Sequence, residues 1–170
     1  IDAKVDEEIV SKNKINFTFN ILDAEKFYVE RINILGNYQT IEEVIRNKLI
    51  VDEGDPLNAL LFNKSIDKIK GLRIFKEVKT KIKEGSSENL KVVDINVVEQ
   101  PTGEISLGAG VGTTGTTVGG GIVEKNFLGE GRKTKFEASL SEKKSTYNIG
   151  MTEPYFLNRP LSLSSDLYNE

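Results

Sequence analysis

The sequence predicts a chain in two parts. The first is an α+β unit of order β-α-α-β-β, with two helices and a three-stranded mixed sheet. The second is a set of antiparallel strands belonging to a truncated transmembrane β-barrel. Three observations predict this. Residues 27–100 switch between strand period and helical period, with stop signals at each switch. After Pro101 the helical period disappears and the segments alternate in steps of two. Eleven of the fifteen glycines also follow Pro101, where the charged fraction falls. Pro101-Thr102-Gly103 is therefore the boundary, giving residues 1–24 as the end of a preceding domain, 25–101 as the α+β unit and 102–170 as about five barrel strands.

Bulk properties narrow the function. The 170 residues suit one ordinary domain or two small ones, and a net charge of −3 makes no electrostatic case for nucleic acid. Cys and His are absent, which removes disulfides, thiolate metal sites and the commonest general base. No apolar run reaches the length of a transmembrane helix. The chain starts at Ile1 and stops without a turn signal, so it is read as an internal piece of a longer protein. No catalytic constellation, cofactor site or metal site is expected.

Each element has its own signal. Ile15, Phe17, Phe19 and Ile21 share one face of a half-buried strand at the end of residues 1–22. Residues 27–35 form a strand with Ile32 and Ile34 inward, ended by Gly36-Asn37. Thr40 and Glu43 read as a capping box for a helix with Ile41, Val44, Ile45 and Leu49 on its stripe and a Glu42–Arg46 ion pair. Glu53-Gly54-Asp55-Pro56 breaks it. A second helix is expected at about 57–70, with Phe62, Ile66 and Ile69 inward, Asp55 as its cap and Gly71 as its left-handed stop. Strands at 75–83 and 90–100 follow, the second with Val93, Ile95 and Val97 on one face.

In the second part, residues 104–121 open with Ile105, Leu107, Ala109 and Val111 opposite Ser106, Gly108, Gly110 and Gly112. Residues 133–141, 147–152 and 161–168 alternate in the same way, while 118–128 has only Val123 and Ile122 as apolar markers. A soluble β-sandwich shows the same alternation. The tips favour a membrane: 126–131 and 153–160 lie at one end and carry aromatics, as an interfacial girdle would. The opposite tips, 113–117 and 142–146, are polar.

Three local matches carry no chemistry. Residues 110–115 fit G-x-G-x-x-G after a strand, but the three glycines at 119–121 would each cost a following helix about 1 kcal/mol, and a dinucleotide needs that helix N-terminus. Ser141-Glu142-Lys143-Lys144 fits S-x-x-K in a polar strand tip without partner motifs. Asn16-Phe17-Thr18 is a glycosylation pattern inside a strand.

The unit carrying Ile32-Asn33-Ile34-Leu35-Gly36-Asn37 and Gly71-Leu72-Arg73-Ile74-Phe75-Lys76-Glu77-Val78 resembles a POTRA domain. Together with Glu99-Gln100-Pro101-Thr102-Gly103, the Gly-rich strand, Lys125-Asn126-Phe127-Leu128-Gly129-Glu130-Gly131 and Thr152-Glu153-Pro154-Tyr155-Phe156, it resembles the last POTRA domain and first barrel strands of the BamA family of outer-membrane β-barrel assembly factors. The resemblance covers residues 27–170, and 1–22 would end the preceding POTRA domain. It implies a location in the bacterial outer membrane with the POTRA part in the periplasm. It implies a 1-3-2 sheet order, periplasmic turns at 126–131 and 153–160, and outer loops at 113–117 and 142–146. It also implies unfolded outer-membrane proteins, periplasmic assembly lipoproteins and the lipid bilayer as partners. Ile105, Ser106, Leu107, Gly108, Ala109, Gly110, Val111 and Gly112 would then be the edge on which a client strand pairs. The glycines there either weaken a closing seam or fit a crowded lumen. A second pairing edge would be the POTRA strand with Phe75, Glu77, Val78, Lys79, Thr80, Lys81 and Ile82; the alternative is an ordinary edge blunted by lysines. The alternative function is polypeptide transport of the two-partner secretion type.

Overall fold

The computed structural model describes residues 3–11, 14–21, 26–112 and 115–169. An antiparallel hairpin comes first, β1 (Ala3–Ser11) with β2 (Lys14–Ile21). Strand β1 was not expected, since Asp6-Glu7-Glu8 interrupts its apolar alternation. Val5, Ile9, Ile15, Phe17 and Phe19 share a face, by register, and that face is exposed within this chain.

The α+β unit contains β3 (Tyr28–Leu35), α1 (Glu42–Arg46), α2 (Ala59–Gly71), β4 (Phe75–Glu84) and β5 (Leu90–Glu99). Its sheet has the order β3-β5-β4, with β3 parallel and β4 antiparallel to the central β5. Burying Ile32, Val93, Ile95 and Val97 under Val44, Ile45, Phe62, Ile66 and Ile69 makes one closed core. Each such fully buried aliphatic side chain contributes about 1.5–3 kcal/mol.

The helix ends differ from expectation. Helix α1 is a single short turn whose N-cap is Ile41, with no side-chain cap bond; Thr40 and Glu43 do not form a capping box. The Glu42–Arg46 pair is present at 2.5 Å. Asn58 caps α2 by accepting from the amides of Leu60 and Leu61. Asp55 instead accepts from the Asp52 amide, at 2.9 Å. Gly71 is the last helical residue, and the left-handed position falls on Arg73, with φ 57°.

The second sheet is fully antiparallel, in the order β10-β9-β8-β7-β6: β6 (Gly103–Gly112), β7 (Gly115–Phe127), β8 (Arg132–Ser141), β9 (Ser145–Glu153) and β10 (Leu163–Asn169). Register separates its faces. One carries Ile105, Leu107, Val118, Ile122, Phe136, Ile149 and Leu167, all exposed. The other carries Ser106, Glu137, Ser139, Asn148 and Asp166, cross-linked by Asn148 to Glu137 at 3.1 Å and Lys135 to Asp166 at 2.9 Å. Val123 sits on this polar face opposite Lys135, so the apolar marks of β7 are Val118 and Ile122. A broad apolar face exposed opposite a hydrogen-bonded polar one is the pattern of a wall between lipid and a wet lumen. The G-x-G-x-x-G stretch lies across β6 and the start of β7, with strand and not helix following it. Ser141 and Lys144 close a tight turn on each other, the Ser141 hydroxyl donating to the Lys144 carbonyl at 2.9 Å.

Candidate functional site

All eight residues from Ile105 to Gly112 lie on β6, which hydrogen-bonds only to β7 among the described residues. Its apolar side chains are the barest of the sheet: Ile105 is 77%, Leu107 88% and Val111 87% exposed. The two glycine sets of this hairpin differ. A Cβ added at Gly108, Gly110 or Gly112 would meet nothing within 4 Å. Added at Gly119 or Gly121 it would lie 3.1 Å from the carbonyl oxygen of Ala138 or Phe136, and at Gly120 it would lie 2.8 Å from Leu107. Close packing thus accounts for the β7 glycines within this chain.

The POTRA-type edge candidates lie on β4, an edge of the other sheet. Phe75 is buried in the core and Val78 packs against it, so those two side chains serve the fold. Lys79 pairs with Glu77 at 2.9 Å and Lys83 with Asp94 at 2.5 Å. Asp94 is buried and also accepts from Asn33 at 2.8 Å. Those bonds, from Asn33 and then Lys83, hold its carboxyl below the usual range. The two candidate edges belong to separate sheets.

Sequence reading missed the joint between them. The turn after β7 docks on the segment before α1: the Ile41 amide donates to the Gly129 carbonyl at 3.0 Å, and Asn126 Nδ2 donates to Thr40 Oγ1 at 2.9 Å. The Glu99 carboxylate, at the end of β5, accepts the Thr40 amide at 2.7 Å and the Gln39 amide at 3.0 Å. A Cβ at Gly129, where φ is +76°, would lie 1.9 Å from the Gln39 carbonyl oxygen. The turn after β9 docks as well. Tyr155 donates its hydroxyl to the Asn47 carbonyl at 2.5 Å, and Lys48 Nζ lies 4.3 Å from the Tyr155 ring centroid. Arg132 joins the two turns through ion pairs with Glu130 and Glu153. The glycines at 129 and 131 were the only sequence sign of so close an approach.

Comparison with known proteins covers both parts. A family model described as "Surface antigen variable number repeat" (POTRA) matches residues 27–100, and the "Omp85 superfamily domain" matches residues 126–170. Outer membrane protein assembly factor BamA of Neisseria meningitidis is 29% identical over 158 residues, which is 92% of this chain and 20% of that protein. The chain thus spans about a fifth of the length of the curated relatives it matches. The crystal structure of Haemophilus ducreyi BamA lacking POTRA domains 1–3 superposes with a TM-score of 0.81 at 23% identity, over 98% of this chain and 32% of that one. CdiB from Escherichia coli superposes with a TM-score of 0.57 at 20% identity, over 90% and 29%.

Proposed function

We propose that the chain is a BamA-type member of the Omp85 superfamily, seated in the bacterial outer membrane with its POTRA part in the periplasm, and that it folds and inserts β-barrel proteins by strand pairing at β6. In lipid every backbone N–H and C=O must be paired, at several kcal/mol for each group left bare. An entering strand therefore needs an edge, and main-chain pairing reads shape rather than sequence, so one edge serves many clients.

The observation that carries this reading is that Gly108, Gly110 and Gly112 recur at alternate positions along β6, the strand at the end of the sheet. Each glycine weakens a strand by roughly 0.5–1 kcal/mol relative to Ala. A seam kept weak in this way can part to admit a strand. The β4 edge is a second pairing place, for unfolded clients or periplasmic lipoproteins. Its lysines on the outer face keep it from pairing indiscriminately.

Cysteines placed at Leu107 or Ala109 of the full-length protein are expected to crosslink to the C-terminal strand of a stalled client. An intact barrel that yields no such crosslink overturns the reading. The rival is a polypeptide transporter of the same superfamily; the fold likeness to CdiB, at a lower TM-score than that to BamA, does not choose between the two. Depletion in cells separates them: general loss of outer-membrane barrels supports assembly, and loss of one secreted protein supports transport.

A further inference from the structure

A cleft of about 380 Å³ lies at the foot of β6, lined by Lys70, Arg73, Phe75, Gln100, Glu104 and Lys125 among others. Its charge is unbalanced. Lys125 pairs with Glu104, the one carboxylate lining it, and Arg73 and Lys133 also act on that carboxylate. Lys70 and Arg73 are exposed and have no ion pair within 4 Å among the described residues. The backbone beneath them is braced: Gln100 Nε2 donates to the Arg73 carbonyl at 3.0 Å, and the Gln100 amide to that of Ile74 at 3.2 Å.

The direction of pairing decides what can reach this cleft. Every neighbouring pair in the sheet is antiparallel. A strand added to β6 in the same sense runs against it, so the added strand's C-terminal end lies beside Gly103 and Glu104. If that strand is the last of its chain, it ends there in a free α-carboxylate, ionised at neutral pH. An internal strand brings no such charge. Glu104 and Lys125 also lie on the polar face of the sheet, since Glu104 opposes Val123 and Val123 opposes Lys135. The cleft is thus approached from the wet side and not from lipid.

We propose that Lys70, Arg73 and Lys125 form a receiving site for the C-terminal carboxylate of the client strand paired on β6. The proposal rests on the strand-pairing reading and adds to it a way of choosing last strands and setting their register without reading side chains. Glu104 is the competitor that occupies Lys125 when no client is present.

The test uses the full-length protein in liposomes, with a photo-crosslinker at Leu107. The probes are two peptides of one client's last strand, identical but for a free carboxylate or an amide at the C-terminus. The amide is expected to crosslink roughly three- to fivefold more weakly, as for partly exposed ion pairs. K70Q/R73Q is expected to reduce the free acid to the level of the amide, and E104Q to widen the difference. Equal crosslinking of acid and amide on the unaltered protein overturns the carboxylate site and leaves strand pairing standing. Absence of crosslinks from both peptides overturns strand pairing and this site with it. If K70Q/R73Q changes only the response to phosphatidylglycerol in the liposomes, the cations serve lipid and the proposal falls.

Discussion

Gly129 and Gly110 are the same residue under opposite demands. At Gly129 the backbone sits at φ +76° and the Gln39 carbonyl occupies the space of a side chain. Gly129→Ala is expected to cost roughly 1–3 kcal/mol from the backbone conformation alone, with the clash in addition. The loss should appear as a lower unfolding temperature and earlier proteolysis near the joint. Gly110→Ala meets open space and ordinary strand geometry. It is expected to firm β6 by roughly 0.5–1 kcal/mol, raising thermal stability while slowing client insertion in a liposome assay. A Gly110→Ala variant that inserts clients at the normal rate would count against a seam kept weak for function. The sequence made both glycines visible as glycines. It left open whether each was there for room, and neighbours distant in sequence decide that.

Among the elements, the joint between α1 and the turn after β7 is the least legible from sequence. Thr40 and Glu43 match a capping box locally, but Thr40 is taken by Asn126, 86 residues further on, and by Glu99. The Thr40 amide, which Glu43 would satisfy in a capping box, goes to Glu99, and the Ile41 amide goes to Gly129. Tertiary partners thus displaced a local motif, as Asn58 displaced Asp55 at the start of α2. The inward stripe of α2, Val44 and Ile45 of α1, and the inward faces of β3 and β5 were legible, because core burial enforces their period, whereas Ile41 is exposed. Glu99 makes the joint sensitive to acid. Burial alone would raise its carboxyl, but hydrogen bonds from Thr40, Gln39 and Tyr38 outweigh this and hold it below the usual range. Its contribution is therefore complete above the ordinary glutamate value of ~4.3 and is lost as pH falls through the lower folded value. Protection of the joint from an acid-active protease is expected to stay level from neutral pH down to about 5 and to drop below about 4. Glu99→Gln should weaken the joint at neutral pH and flatten that drop.

For the whole molecule, two solvents explain the two halves. The residues buried as apolar core lie within 29–97, while the second sheet leaves its apolar face bare among the described residues. Ile149→Lys on that face is expected to cost about 2–4 kcal/mol of folding stability in a bilayer, if it lies near mid-depth. Ser139→Lys on the polar face should cost little. Urea titration of the full-length barrel in liposomes measures both. This division was readable because alternation survives even in short strands. It blurred at β7, where Gly119, Gly120 and Gly121 remove the side chains that mark a face. The link between β5 and β6 has a mechanical consequence. Only residues 100–102 join Glu99 to Gly103, and the Lys125 amide holds the Thr102 carbonyl. Four Cα steps reach no further than roughly 14 Å. The foot of β6 is therefore tethered to the periplasmic unit while its far end is not. On the proposed strand pairing, a seam at this strand is expected to open like a folding fan, pivoting at its periplasmic end and widest at the outer surface.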